Sequence, residues 1–309
     1  MDASLFTPTG TTALALSSLT LAGIGASVPA VADGILRRSR ERYRAWLHSA
    51  LEEYCAFWRA SGHAPRKRSS GQERALFEWA AELPRLASDG MLSKHELRLV
   101  AAANMPFSAF VTEDVLDAAP SEETVEREFS LPSTPLLVAS GATLTGAASA
   151  LSCIAWGFSA TSAFAALFVA SCWLMAVIDA RSRTIPGVCT ACIAASGIAW
   201  HIGLNEADIT GSLAVAFATW ALLAIGNRLS CALRGERGIG GGDVRTLPVV
   251  VGVLGASGAV LGLSASAGAL ATYLAVKAVK GSLSLREKIP FGPFIAVAGI
   301  AGMASLALG

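Results

Sequence analysis

The sequence predicts an all-α fold, a polytopic membrane helix bundle of about eight spans with a small helical domain inserted after the first span. Three observations predict it. Apolar residues make up 53% of the 309 positions and charged residues only 15%, where a soluble domain carries roughly 25% charged, and the mean hydropathy is +0.53. The apolar residues are gathered into runs of membrane-crossing length, and the basic residues avoid half of the segments that join those runs.

A helix crosses a bilayer with about 17–25 apolar residues. Runs at about 11–33, 135–156, 160–178, 187–203, 210–227, 258–276 and 291–308 have that length. The run at 246–256 is too short to cross alone and reads as tilted or partly re-entrant. The first run follows an acidic start, Asp2, and leads into Arg37, Arg38 and Arg40. A cleaved signal carries its positive charge in front, so this run reads as a retained anchor.

The loops test this layout by charge. Fourteen Lys and Arg lie in 34–134, two in 180–185, four in 228–245 and four in 277–290, which accounts for all 24. The alternate segments hold none, and carry Asp2, Glu206 and Asp208 instead. By the positive-inside rule the basic segments face the cytoplasm and both termini face away from it, which requires an even number of crossings. The 24 basic residues are offset by 23 acidic ones, net charge +1, so no nucleic-acid partner is expected.

The chain thus divides into 1–33, a first span; 34–134, a cytoplasmic helical domain; and 135–309, the membrane domain. In the middle segment Trp46, Leu51, Tyr54, Phe57 and Trp58 recur at helical spacing, and Ser70-x-x-Glu73 and Ser93-x-x-Glu96 have the form of capping boxes. Arg66-Lys67-Arg68 reads as an exposed loop, and Pro120, Pro132 and Pro135 mark the segment's end. The basic runs 37–44 and 66–68 suit either an anionic lipid surface or plain solvent.

An ionisable side chain at the edge of a span is costly and so is a functional candidate. Asp179 closes the apolar run Trp173–Ile178 and is followed by Ile185-Pro186, with the proline where the next helix starts. Taken alone, it is equally an interfacial charge paired with Arg181 or Arg183. The second candidate is Asp243 in Gly238-Ile-Gly240-Gly241-Gly242-Asp243-Val-Arg245. Dense glycine lets backbone or an extended peptide approach a neighbouring side chain; a phosphate cradle would need the Gly-Lys-Ser/Thr that this loop lacks. Both aspartates fall at the same predicted face, 64 positions apart in sequence. Two carboxyls brought close cannot easily both ionise. One can activate water while its protonated neighbour polarises a scissile carbonyl and protonates the leaving amine.

Three stretches, Asp179-x5-Ile185-Pro186, Gly240-x-Gly242-Asp243 and Lys288-Ile289-Pro290-Phe291-Gly292-Pro293-Phe294, resemble in order and spacing the type IV prepilin peptidases. The resemblance spans roughly 135–309. It implies a Gly-x-Gly-Asp aspartic peptidase that removes short basic leader peptides from pilin-like precursors at the cytoplasmic face of the bacterial inner membrane, without cofactor or metal. It implies that Asp179 and Asp243 are the catalytic pair, and that Ile185, Pro186, Gly238, Gly240, Gly242, Arg245, Pro290, Phe291, Gly292 and Pro293 are their motif support. Its implied partners are a precursor with a basic leader and an apolar helix, the lipid bilayer, and pilus or secretion assembly components. On the residues alone, Pro290 and Pro293 read as helix-start devices that leave no backbone donor unpaired.

Two departures qualify the resemblance. Arg245 stands where a lysine is common, which keeps the charge. Bifunctional relatives carry two Cys-x-x-Cys pairs in the cytoplasmic segment, read as a zinc site, and also N-methylate the product; a closed zinc site needs four ligands, and 34–134 holds only Cys55. Cleavage is therefore expected, and the missing cysteine pairs leave methylation an open question of the resemblance.

Other signals have plainer readings. Cys189-Thr-Ala-Cys192 sits in an apolar run without a second pair, so it reads as packing. Asp89 to Glu96 resembles half of a calcium loop, but Arg85 and Ala87 occupy the early ligand positions, so a turn and a capped helix are expected. His48, His63, His95 and His201 do not cluster, and Trp156 and Trp200 suit an aromatic belt. Two other functions fit two membrane-edge acids: a proton- or ion-coupled transporter, which wants its acids near midplane, and a non-catalytic scaffold for pilus or secretion assembly.

Overall fold

The computed structural model describes residues 8–66, 71–88, 90–103, 105–204, 209–234, 239–282 and 289–309, and every regular element among them is helical. In chain order these are α1 (Pro8–Ser61), α2 (Gln72–Ser88), α3 (Lys94–Ala102), a 3-10 turn (Pro106–Phe110), α4 (Glu113–Ala118), α5 (Glu122–Glu128), α6 (Pro135–Trp156), α7 (Ala160–Ser182), α8 (Gly187–Gly203), α9 (Ile209–Arg234), α10 (Gly241–Val279) and α11 (Gly292–Leu308). They form two compact units, Met1–Ala32 with Pro132–Gly309, and Asp33–Leu131. Helix α1 runs through residue 33 without a break. The hydropathy falls there, but Ile35 to Leu47 is rich in Arg and Leu, which favour helix.

The first unit is a membrane helix bundle. Among the described residues five helices are long and apolar enough to cross a membrane, in α1, α6, α7, α9 and α10, and α8 and α11 are shorter apolar helices. Helix α10 is two helices in fact, because Gly255 interrupts it at φ 63°, ψ −174°, a conformation that only glycine adopts readily. Gly157, in the turn between α6 and α7, has nearly the same angles, φ 69° and ψ −175°. The contacts with α11 show that the chain reverses at Gly255. Going along α11, Gly299 lies against Val250, and Gly302 against Leu254 and the carbonyl of Gly258, yet Gly262 lies back at Ala298. The first arm, 241–254, is about 21 Å long at about 1.5 Å per residue, the short segment expected from sequence. Its end is capped from outside: His201 Nε2 donates to the carbonyl of Val253 at 2.9 Å, one of the acceptors that the break leaves without a helical donor.

Helices in this unit meet through small residues. A Cβ on Gly25 would collide with the carbonyl of Gly141, and one on Gly262 with the carbonyl of Ala298. Close backbone approach of this kind is how helices gain contact where lipid removes the hydrophobic drive to associate. Trp156 and Trp200 pack edge to face at 5.5 Å, and Trp200 is buried, so this pair closes the bundle instead of lying wholly in an aromatic belt. Cys189 is buried as packing requires, whereas Cys192 is exposed.

The second unit has a water-type core. Leu47, Tyr54, Leu76, Trp79, Leu83, Leu92, Leu97 and Val100 are buried together, and the rings of Tyr54, Trp79 and Phe107 stack within 4.3–5.9 Å of one another. Of the expected stripe of α1, Tyr54 is in the core and Leu51 and Phe57 pack on it, whereas Trp46 is 43% exposed and Leu47 is buried beside it. The Ser93 capping box forms with both of its hydrogen bonds, whereas Ser70 lies outside the described residues. Gly90, in the left-handed region at φ 71°, makes the turn before α3, and Asp89 lies outside the described residues. Glu96 is buried beside Arg40, with Oε2 accepting from the guanidinium at 2.8 Å and from Ser93 N–H at 2.8 Å.

Candidate active site

Asp179 lies in the last turn of α7 and is 3% exposed. Helix α7 extends past the expected end at 178 to Ser182, where Arg183 turns it off in the left-handed region at φ 53° and donates its N–H to the carbonyl of Asp179. The aspartate is therefore inside the helix and its side chain is turned into the bundle. There Oδ2 accepts the backbone N–H of Gly292 at 2.7 Å. Gly292 opens α11, so this is one of the donors that a helix start leaves free, at the positive end of the helix dipole. A Cβ on Gly292 would stand 2.6 Å from the Cβ of Asp179, which no side chain can do. Pro290 and Phe291 are partly buried before the helix start, and Pro293 sits in its first turn. The last motif thus contacts Asp179 directly, beyond the helix-start role that its prolines suggest.

Asp243 occupies the first turn of α10, which Gly240 caps. Its carboxylate lies against the backbone of Gly240 and within electrostatic reach of Asp179. The glycines differ in what they permit. A Cβ on Gly240 would press on Asp243 Oδ2 at 2.8 Å, and one on Gly242 on the Cβ of Ile185 at 3.0 Å, whereas Gly241 has open space. Ile185 is thereby packed on the glycine turn, and Pro186 caps α8. Gly238 lies outside the described residues, and Arg245 is exposed.

The structure thus brings Asp179, Gly292, Asp243, Gly240, Gly242 and Ile185 to one end of the bundle. The rings of Phe291, Phe294 and Tyr273 run from α11 to the second arm of α10, with centroids 6.0 and 5.8 Å apart, and Lys277 Nζ lies 5.5 Å over Tyr273. Among the described residues no group of three or more His, Cys, Asp or Glu converges as a metal would require. Sequence reasoning passed over three supports near this end. Thr190 and Thr246 share a hydroxyl hydrogen bond at 2.7 Å between α8 and α10, and Asn227 of α9 holds Ile239. A polar amide within an apolar run was the available signal for Asn227.

Residues 166–276, which hold both aspartates, Ile185-Pro186 and the glycine turn, match the model of the type IV leader peptidase family. That segment belongs to the type IV leader peptidase family. The chain is accordingly a peptidase, and its apolar helices make it a multi-pass membrane protein. The leader peptidase match ends before Gly292 and does not reach the unit Asp33–Leu131. Compared with the curated proteins and with the solved structures, the chain has no significant match.

Proposed function

We propose that this leader peptidase is an aspartic endopeptidase that cuts the basic leader from prepilin-like precursors at the cytoplasmic face of the bacterial inner membrane. The observation that carries the reading is the pairing of Asp179 and Asp243, two acids on different helices within electrostatic reach of each other, the first held by the backbone N–H of Gly292. Such a pair suits general acid–base hydrolysis. The ionised carboxylate takes a proton from water as its oxygen bonds to the scissile carbonyl carbon. The protonated partner donates to the carbonyl oxygen, and on collapse of the tetrahedral intermediate the C–N bond breaks and the amine leaves with a proton. The backbone donor from Gly292 keeps the carboxyl of Asp179 from turning away, and that of Asp243 rests against Gly240.

The orientation rests on charge: Arg181, Arg228, Arg245, Lys277 and Lys280 all lie in or next to the terminal turns of their helices at the aspartate end of the bundle, as a cytoplasmic face requires. The substrate's apolar helix would lie in the bilayer, with its basic leader in the cytoplasm. Assembly components of a pilus or secretion system are the further partners of this reading.

The test is co-expression with a prepilin-like precursor. The wild type converts it to the shorter form, and Asp179→Asn and Asp243→Asn each leave it uncut at equal protein level; processing by either variant would refute the aspartic pair.

A further inference from the structure

We infer that Asn227 is a positioning residue for Asp243, acting through the peptide unit that joins Ile239 to Gly240. The inference rests on the aspartic-peptidase reading and adds a residue to its machinery. Asn227 Nδ2 donates to the carbonyl of Ile239 at 3.2 Å, and Ile239 N–H donates to Asn227 Oδ1 at 3.1 Å. One carboxamide thus satisfies both backbone groups of one residue, as only a side chain with donor and acceptor side by side can do.

The consequence lies in the next atom along. The carbonyl of Ile239 and the N–H of Gly240 belong to the same planar peptide, which is trans, so the two point in opposite directions. Gripping the oxygen from α9 therefore fixes the peptide plane that leads into Gly240, against which the carboxylate of Asp243 lies. Gly240, Gly241 and Gly242 have no side chains with which to fix this plane, and glycine backbone rotates freely. A side chain at 240 would displace the carboxylate, because Asp243 Oδ2 lies 2.8 Å from where its Cβ would stand. The orientation that a side chain at 240 cannot supply is supplied by Asn227 from the neighbouring helix.

The experiment uses the full chain, purified in detergent, with a prepilin-like precursor as substrate. Asn227→Ala is expected to lower kcat by about 10- to 100-fold, the scale of a misplaced catalytic group, with KM nearly unchanged, since contacts to the precursor are untouched. Asn227→Asp separates positioning from folding. Ionised, its carboxylate faces the carbonyl of Ile239 and the variant behaves like Asn227→Ala. As pH falls toward the ordinary carboxyl value of about 4, the protonated acid regains a donor beside its acceptor, and the variant's kcat relative to wild type rises. A purely structural role would lower the yield of both variants and give no such recovery.

Amide hydrogen exchange supplies a readout independent of activity: Ile239, whose N–H donates to Asn227 Oδ1, exchanges faster in Asn227→Ala than in wild type. Wild-type kcat in Asn227→Ala, or unchanged exchange at the Ile239 amide, overturns the inference. Faster exchange in a protein whose wild type cuts no precursor overturns the peptidase reading and supports the clamp.

Discussion

In the unit Asp33–Leu131, Leu47, Tyr54, Trp79 and Leu97 fill one core with large side chains, and a buried Arg40–Glu96 pair sits with them. In the bundle the tightest approaches are made by residues with almost no side chain, Gly25 on Gly141 and Gly262 on Ala298. Both units are helical, so the difference reflects the solvent. Water rewards burial of large apolar groups at about 25 cal/mol per Å², whereas lipid is as apolar as leucine and rewards only close packing and satisfied polar groups. Accordingly Phe217, Leu222 and Leu233 of α9 are 67–76% exposed, which suits a lipid-facing helix. The same small-residue logic reaches the candidate site, where Gly292 gives Asp179 its hydrogen bond by being small enough to reach it.

The largest expected effect would break the water-type side of this comparison. Glu96→Ala leaves Arg40 charged and buried and removes the acceptor for Ser93 N–H, at a cost of about 3–5 kcal/mol. Hydrogen exchange of the α3 amides in the full chain should accelerate accordingly, and unchanged protection would mean that the pair does not hold that unit. Next comes the bundle's rule applied at the site. Gly292→Ala must push Asp179 aside, and cleavage should fall by about 100-fold, the scale of a misplaced catalytic group. Gly187→Ala, with open space at its Cβ, should cut at nearly the wild-type rate; comparable losses in both would show that these positions are merely intolerant. The smallest effect is at the lipid face: Leu222→Ala should shift thermal stability in detergent by less than about 0.5 kcal/mol. A loss of several kcal/mol would mean that α9 is covered by protein there.

Much of this was legible in the sequence, for identifiable reasons. Asp179 stood out because a carboxyl at the end of an apolar run is expensive, and Asp243 because glycine so dense serves close approach. The Ser93 box was legible because its two bonds are local. The reversal in α10 was expected just past 256 and occurs at Gly255, since Gly252, Gly255 and Gly258 all offer a turn and only packing on α11 selects one. Helix α1 was cut at 33 because hydropathy changes there, while the backbone follows helix propensity and continues to Ser61. The contact of Gly292 with Asp179 spans 113 positions, and Asn227 and His201 act on backbone groups that no local pattern reveals.

The central claim is that Asp179 and Asp243 work as one unit. The most direct measurement compares cleavage of a prepilin-like precursor by the purified protein in lipid bilayers with that by Asp179→Asn, Asp243→Asn and the double variant. Residues that act together give non-additive losses, so each single variant should lose as much activity as the double, down to background. A single variant that retains measurable cleavage, with the double losing the product of the two single effects, would contradict the account.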